Sequence, residues 1–446
     1  MDRRFARRKH EMLAECEIRP ELVRGLQPRL SEFLAPFAAG LRVDAQRQHT
    51  LEFCQGLLSN VKRKNVESIA YQHDQDRRNL QHFIGLAEWD YRPMVDELCR
   101  QVGAELGEPD AVLVIDPSAF PKQGKKSVGV ARQWCGRLGK VDNCQVGVYL
   151  AYVSREERAL CDFRLFLPKE WTQDRRRCRG SGVPPTVRRR TRHELALEMI
   201  LARRDVLPHA WVTADDEFGK VTHFRRDLHE AGERYLLAAP DSLTVRILDS
   251  DELPRRGRGL VKARHFVGVA QVRNELLATA WQRIDVRDAE KGPLVVEVAV
   301  VPHVQTKGGG RRTKYAERLI LIRYQAADGA RHDDAYFSNA PSDTPAAEFA
   351  RVAAAEHRVE ECLRRAKSEA GLADYEVRTW VGWHHHQTLS LIATWFLVQE
   401  TRRGKKIDTS LDRSATATSH FPTARTRMES YTAGLDCQER PAPLAA

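Results

Sequence analysis

The chain has 446 residues and a net charge of +11, with 72 Lys and Arg residues against 61 Asp and Glu residues. This length is enough for two or three domains. The basic charge favours a polyanionic partner, most commonly nucleic acid; a basic protein without such a partner is the alternative. Nine scattered cysteines form no C-x-x-C pair, which argues against a zinc module and indicates reduced thiols. No apolar segment follows the charges of residues 1–9, and the longest apolar run, 389–398, is too short for a membrane span, so we expect a soluble protein.

Residues 1–105 are predicted to form a helical domain. Apolar residues recur every three to four positions, as at Leu26, Leu30 and Leu34. Basic residues such as Lys62 and Arg63 recur between them. A solvated helical face is one interpretation of this charge, and a DNA-contacting domain is the other.

Residues 106–240 change to a pattern of strands and helices. Apolar or alternating runs predict strands over 111–115, 145–153, 161–167, 210–214 and 234–239, with helices over 193–206 and 220–230. This order of elements is that of a ribonuclease-H-like α/β fold: three strands, a helix, a strand, a helix and a strand. In that fold the first and fourth strands are neighbours, so Asp116 and Asp215, which follow them, are expected to lie side by side.

Residues 241–340 are predicted to be a β-rich insertion that interrupts this core. Apolar runs over 295–301 and 319–324 flank a turn at 308–310, and Lys307 and Arg311 border the turn. A surface hairpin and a loop that grips a DNA backbone are equally good interpretations of this basic turn.

Residues 341–401 are predicted to complete the core with two helices, over 349–370 and 384–401. The first has an apolar stripe and ends at Gly371, and Glu360, Arg364 and Lys367 share a neighbouring face. A solvated row of ion pairs is one interpretation; a carboxylate facing a metal is the other. Residues 402–446 are poor in apolar residues and are predicted to be a mostly disordered tail.

Asp116, Asp215 and Glu360 therefore stand at the ends of two buried strands and on a helix. Carboxylates held close together repel one another unless cations neutralise them. Their oxygen atoms suit Mg²⁺ or Mn²⁺, and two such ions support phosphodiester cleavage without a side-chain nucleophile. Three consecutive histidines, 384–386, point in different directions on a helix, so a helix-start or phosphate-facing role is favoured over a metal cluster.

Three ordered blocks of sequence resemble the DDE transposases of the IS701 family, within the IS4-related superfamily. The first runs from Asp116 through 117–147, the second is Asp215-Asp216-Glu217-Phe218-Gly219, and the third is 358–362 followed by Lys367 and 371–380. The resemblance covers roughly residues 15–400. It departs from the superfamily's Tyr-Arg-Glu-Lys signature, because Ala353 and Glu356 stand at the tyrosine and arginine positions.

The resemblance implies that Asp116, Asp215 and Glu360 are the catalytic, metal-binding residues for two Mg²⁺ or Mn²⁺ ions. Asp216 and Glu361 are the rival residues in their blocks. Resemblance and charge together predict the following DNA-binding residues: Lys122, Lys125, Lys126, Arg132, Arg358, Arg364 and Lys367. The arginine-rich loop 175–190 is a further candidate for DNA-backbone contact, with a solvated loop as the alternative.

The implied function is a DNA transposase that cleaves transposon ends and transfers the strands into target DNA. Its partners would be double-stranded DNA and a second copy of the chain in a synaptic homodimer, in the cytoplasm of a bacterium, at the nucleoid. Two alternatives stay open: a catalytically silent, transposase-derived DNA-binding protein, and a metal nuclease without strand transfer.

Overall fold

The computed structural model describes residues 25–253, 265–289, 292–325 and 331–416. The described chain begins with α-helices, as predicted for this part of the sequence. They are α1 (Leu26–Ala38), α2 (Asp44–Leu57), α3 (Val66–Gln72), α4 (Arg77–Gly85) and α5 (Arg92–Leu106). Local signals set their limits: Asn65 and Asp76 cap α3 and α4 by accepting hydrogen bonds from backbone N–H groups of the first turn.

The central part of the chain alternates strands and helices. Its strands are β1 (Val112–Pro121), β2 (Ala131–Cys135), β3 (Lys140–Val153), β4 (Arg158–Leu165), β5 (Trp211–Ala214) and β6 (Tyr235–Ala239). Its helices are α6 (Lys169–Thr172), α7 (Arg175–Gly180), α8 (Arg192–Arg203), α9 (Asp216–Gly219) and α10 (Thr222–Glu230). Thr191 and Glu194 form a capping box that starts α8.

The pairing of these strands establishes the fold class. The order across the sheet is β4–β3–β1–β5–β6, in which β1 pairs with β3 antiparallel and with β5 parallel, and β5 pairs with β6 parallel. The first strand and the strand after α8 are therefore neighbours. This confirms the predicted ribonuclease-H-like α/β core.

The segment after β6 is rich in strands, as predicted, but it does not form a separate sheet. Its elements are β7 (Thr244–Ile247), β8 (Val267–Gly268), α11 (Val269–Glu275), β9 (Trp281–Ala289), β10 (Gly292–Gly308), β11 (Arg311–Arg312), β12 (Glu317–Gln325) and β13 (Arg331–Ser338). Strand β13 pairs antiparallel with β6, so the insertion continues the core sheet to 13 strands within the described residues. Free backbone groups on the edge of β6 explain this joining, because an unpaired edge favours another strand.

Two long helices complete the described chain: α12 (Ala346–Glu369) and α13 (Trp380–Thr416). Gly371 has φ 62°, and a Cβ there would lie 2.8 Å from the Cβ of Lys64. Glycine is thus required both for the left-handed turn after α12 and for close packing on the N-terminal helices. The predicted disordered tail, 402–446, begins inside α13, and residues 417–446 lie outside the described residues.

One apolar core joins the N-terminal helices, the sheet and the two last helices. It includes Phe53 of α2, Leu98 of α5, Leu150 of β3 and Trp395 of α13, all of them at most 1% exposed. The predicted helical part is therefore packed onto the core. Among the described helices, none is long and apolar enough to cross a membrane.

Candidate active site

Two aspartates are brought together by the pairing of β1 with β5. Ile115 lies opposite Ala214 in the parallel register, and Asp116 and Asp215 follow these two residues directly. Neighbouring strands lie about 4.8 Å apart, so the two residues are adjacent at the same sheet edge. Both side chains are partly buried. The predicted convergence of Asp116 and Asp215 thus follows from the strand pairing.

The local structure around Asp215 orients its carboxylate. Asp215 is the N-cap of the short helix α9, and its Oδ1 accepts a hydrogen bond from the backbone N–H of Glu217 at 3.0 Å. At the other end of α9, a Cβ on Gly219 would lie 1.7 Å from the carbonyl oxygen of Ala238, so only glycine allows this helix to touch β6. The rival residue Asp216 is exposed to solvent. Asp215, the N-cap, therefore lies on the side of Asp116, whereas Asp216 faces solvent.

Burial and neighbouring carboxylates raise the pKa values of both Asp116 and Asp215. Burial, followed by the neighbouring charges of Asp215 and Glu360, raises the pKa of Asp116 to about 7. Burial and the charges of Glu217 and Asp216 raise the pKa of Asp215 to about 6. Both carboxyl groups therefore hold their protons far more tightly than an exposed aspartate, which is the effect expected when like charges share a poorly solvated site.

Helix α12 supplies the third predicted carboxylate. Glu360 is exposed, yet it lies close enough to Asp116 to raise the pKa of that group. The rival residue Glu361 forms ion pairs with Arg158 of β4 and, at 3.9 Å, with Arg364. Glu361 is thus engaged on another face of the helix, whereas Glu360 borders the aspartates.

A fourth carboxylate, Glu356, was missed as a site residue by sequence reasoning. Its Oε2 is buried without a hydrogen-bond partner. Burial raises its pKa to about 8, and the next causes are Asp215, Asp334, Asp116 and Glu360.

The sequence contained a signal for this side chain. Glu356 follows Val352 by four residues and precedes Val359 by three, so it occupies a position of the apolar stripe of α12. A charged residue in such a stripe is unusual unless it has a partner or a function.

The donor chemistry of these four acids fits a hard divalent cation. They offer carboxylate oxygens only, they repel one another, and one buried oxygen has no partner within the described structure. In the described conformation, no three His, Cys, Asp or Glu side chains are grouped closely enough to hold a metal ion.

Lys367 is the predicted basic residue that faces this site. Its Nζ lies 5.7 Å from the centroid of the Phe120 ring on β1. Burial lowers its pKa, while the charge of Asp116 opposes this effect and that of Arg137 adds to it. Lys367 thus lies between the acids and Arg137, which is in the turn that joins β2 to β3.

Two other predicted DNA-binding residues make contacts within the protein. The Nζ of Lys122 donates to the backbone carbonyl oxygen of Tyr375 at 3.0 Å and lies 3.5 Å from the centroid of the Tyr375 ring. Burial lowers the pKa of Lys122 to about 8. Arg358 donates from Nη1 to the carbonyl oxygens of Ser154 and Arg155. These contacts give both side chains a structural role; their binding to DNA stays a prediction.

The remaining predicted DNA-binding residues are exposed: Lys125, Lys126, Arg132 and Arg364. Arg177 of α7 donates to the carbonyl oxygen of Lys125 at 2.8 Å and packs 3.8 Å from the Trp171 ring. This contact holds the loop after β1 against the arginine-rich segment, where Arg175, Arg176 and Arg179 are exposed. Lys125 and Lys126 therefore lie beside the exposed arginines of the arginine-rich segment.

The three consecutive histidines are buried and serve packing. The Nδ1 of His384 lies 2.8 Å from the carbonyl oxygen of Trp380, and the Nε2 of His386 lies 2.9 Å from the carbonyl oxygen of Gly371. The two ring nitrogens of His385 contact the carbonyl oxygens of Ile84 and Trp89. Burial lowers their pKa values to about 3, 4 and 4. They are neutral residues at the start of α13 and face the protein interior rather than a phosphate.

Comparison with known proteins identifies the class of this chain. Residues 36–293 match the DDE superfamily endonuclease family, and the chain belongs to that family. This segment contains Asp116 and Asp215 and ends before α12.

The predicted resemblance to the IS701 family is confirmed by a relative. Over 122 residues the chain is 34% identical to the probable transposase for insertion sequence element IS701 of Microchaete diplosiphon. That alignment spans 26% of this chain and only 31% of the relative.

A solved structure, the cryo-EM structure of the piggyBac transposase synaptic complex with hairpin DNA, is also similar. The TM-score is 0.40 and the identity 8%, over 82% of this chain and 67% of that one.

Proposed function

We propose that this chain is a DNA transposase that cleaves phosphodiester bonds at the ends of its element and joins the exposed 3′ ends to target DNA, with Mg²⁺ or Mn²⁺ as cofactor. The observation that carries the proposal is the placement of Asp116 and Asp215 after paired residues of adjacent parallel strands, with acids of α12 beside them. Membership of the DDE superfamily endonuclease family supports the same chemistry.

Asp116, Asp215 and Glu360 are the proposed ligands of two metal ions, and Glu356 is a further candidate. When bound, the two ions lower the pKa of an attacking water and stabilise the leaving 3′ oxygen. The N-cap contact of Asp215 holds its carboxylate in place. Partial burial of Asp116 limits competing solvent and strengthens its interaction with any cation that replaces its proton.

The basic residues are proposed to hold the DNA backbone. Lys367, next to Asp116, neutralises a phosphate near the cleaved bond, and the exposed Lys125, Lys126 and Arg132 extend this contact over the surface. Such contacts position DNA without reading its sequence. We assign recognition of the element's ends to the helices within residues 1–105, and we propose a homodimer, because two ends must be joined in one event.

Cleavage of DNA that carries the element's ends tests the proposal. The purified protein is incubated with this DNA in Mg²⁺ or in EDTA, and cut and joined products are separated on a denaturing gel. We expect both products in Mg²⁺, none in EDTA, and none with Asp116→Asn. Asp216→Asn is the matched control, because Asp216 is exposed beside the site, and it should cleave as the unaltered protein does.

The same experiment separates two other functions. Ala353 and Glu356 replace the tyrosine and arginine of the superfamily signature, and this favours a catalytically silent DNA-binding protein as the second candidate. Equal binding to the ends by the unaltered protein and by Asp116→Asn, with no cleavage by the unaltered protein in Mg²⁺ or Mn²⁺, would establish that function. Cut products without joined products would instead establish a metal nuclease.

A further inference from the structure

The hairpin formed by β2 and β3 ends in an apolar and basic tip, which we define as residues 132–141. Three of its side chains are unusually exposed for their size: Trp134 at 55%, Leu138 at 43% and Val141 at 51%. Of the eight tryptophans, all of which lie in the described residues, Trp134 alone is exposed. Single exposed apolar side chains are common, but a cluster of large ones is a feature of binding surfaces.

The hairpin tip is held firmly from its inner side. Trp134 lies opposite Val141 in the antiparallel register, and the adjacent Cys135 points to the other face. There Cys135 is fully buried with Cys144 and Val146. A short 3₁₀ turn at Gly136–Leu138 and Gly139 at φ 61° close the tip. The exposed ring therefore projects from an ordered support.

The charge of the hairpin tip indicates what kind of ligand would cover the ring. Arg132 and Arg137 are exposed, and so is Lys140, which pairs with Asp142 at 3.3 Å. Three cations around a small apolar patch complement a polyanion. Three partly exposed side chains also offer far less area than the roughly 800 Å² that each partner buries in a stable protein interface.

The hairpin tip borders the candidate active site. Asp116 lies opposite Tyr149 of β3, Phe120 opposite Gln145 and Trp134 opposite Val141, and because these β3 residues are an even number of positions apart, all three pairs lie on one face of the sheet. On this face the Nζ of Lys367 lies 5.7 Å from the centroid of the Phe120 ring, between Asp116 and the hairpin tip. A DNA strand whose phosphate lies at Asp116 would therefore continue past Lys367 and Arg137 towards Trp134. Within the described structure, no aromatic ring or cation stacks on Trp134, so its face is open to a base.

We propose that the hairpin tip binds unpaired DNA next to the cleaved bond, with Trp134 stacking on a base and Arg132 and Arg137 contacting phosphates. Aromatic stacking between cationic side chains is the general way in which proteins hold single strands without reading sequence. This inference rests on the proposed function for its location beside a cleaved end. The binding itself requires neither metal nor cleavage.

Binding of a short fluorescent single-stranded oligonucleotide, measured by anisotropy in EDTA, tests the inference. We expect Trp134→Ala to weaken binding about tenfold or more, and Trp134→Phe, which keeps a stacking ring, to bind nearly as the unaltered protein does. DNA should also protect tryptophan fluorescence from iodide quenching. The control is Leu277→Ala, which removes another exposed apolar side chain, one that is 75% exposed.

Three results of the binding assay would overturn the inference. They are no binding of the single strand by the unaltered protein, equal binding by Trp134→Ala, and an equal loss of binding to a fully paired duplex, which would indicate phosphate contact alone. A dimer that Trp134→Ala dissociates, with DNA binding unchanged, would assign the tip to a second copy and also overturn it. If the unaltered protein does not cleave DNA but binds the single strand in a Trp134-dependent way, the transposase proposal fails and this binding site stands. The two failures are therefore distinguishable.

Discussion

Replacing Asp116 with Asn should stabilise the metal-free protein, and the gain should grow with pH. Burial and the neighbouring Asp215 and Glu360 raise the pKa of Asp116 to about 7, from an ordinary value of 3.8. The folded protein therefore keeps this proton over a range in which the unfolded chain releases it. Folding thus loses stability as the pH rises from about 4 to about 7, and the loss persists above that range. Asparagine has nearly the same shape and no charge, so it removes the loss.

The size of the effect follows from the two pKa values. A difference between 3.8 and about 7 corresponds to on the order of 4 kcal/mol at pH 8, and to less than half of that at pH 5. Unfolding entropy is about 2 cal/mol/K for each residue. For 446 residues, a gain of this size raises the Tm by about 4 °C.

Differential scanning calorimetry in EDTA at pH 5 and pH 8 measures this change. The control is Asp216→Asn, which removes an exposed charge from the adjacent position and should leave the Tm nearly constant. Adding Mg²⁺ should narrow the difference at pH 8, because a bound cation stabilises the unaltered site and not the variant. A lower Tm for Asp116→Asn at pH 8, or the same gain at both pH values, would refute the reasoning.

Three further predictions concern other buried charges. Glu356→Gln should lower Mg²⁺ affinity about 10- to 100-fold, measured by calorimetric titration with Glu360→Gln as the comparison variant. Unchanged affinity would show that Glu356 does not take part in metal binding. Glu317→Gln should cost about 3–5 kcal/mol in thermal or urea unfolding, because it leaves fully buried Arg225 without the carboxylate that lies 2.8 Å away; a cost below about 1 kcal/mol would contradict this. Lys367→Ala should weaken binding to all DNA sequences alike and reduce the salt slope by about one, with metal binding retained; a loss confined to the element's ends would contradict it.

Local sequence patterns were enough to predict the core elements and the place of Asp116 and Asp215 at the ends of two buried strands. The apolar run before Asp116 and the one before Asp215 each predicted a buried strand, and β1 and β5 lie there. The apolar stripe of α12 and the glycine at 371 predicted the long helix and its end. These features depend on the spacing of neighbouring side chains, which the sequence shows directly.

Contacts between distant parts of the chain decided the rest. Nothing near Lys122 or Arg358 in sequence indicates that carbonyl oxygens of Tyr375 and of Ser154 receive their hydrogen bonds. Likewise, the pairing of β13 with β6 made the insertion a continuation of the core sheet.

The inward position of Glu356 illustrates the same limit. Its place in the stripe of α12 was visible, but its function as a buried acid depends on Asp215 and Asp116, which reach it only through the packing of the helix on the sheet. The sequence by itself determined which segments form strands and helices and which residues carry charge. The tertiary structure decided which of those charges meet, because burial and proximity are properties of packed elements and not of their order along the chain.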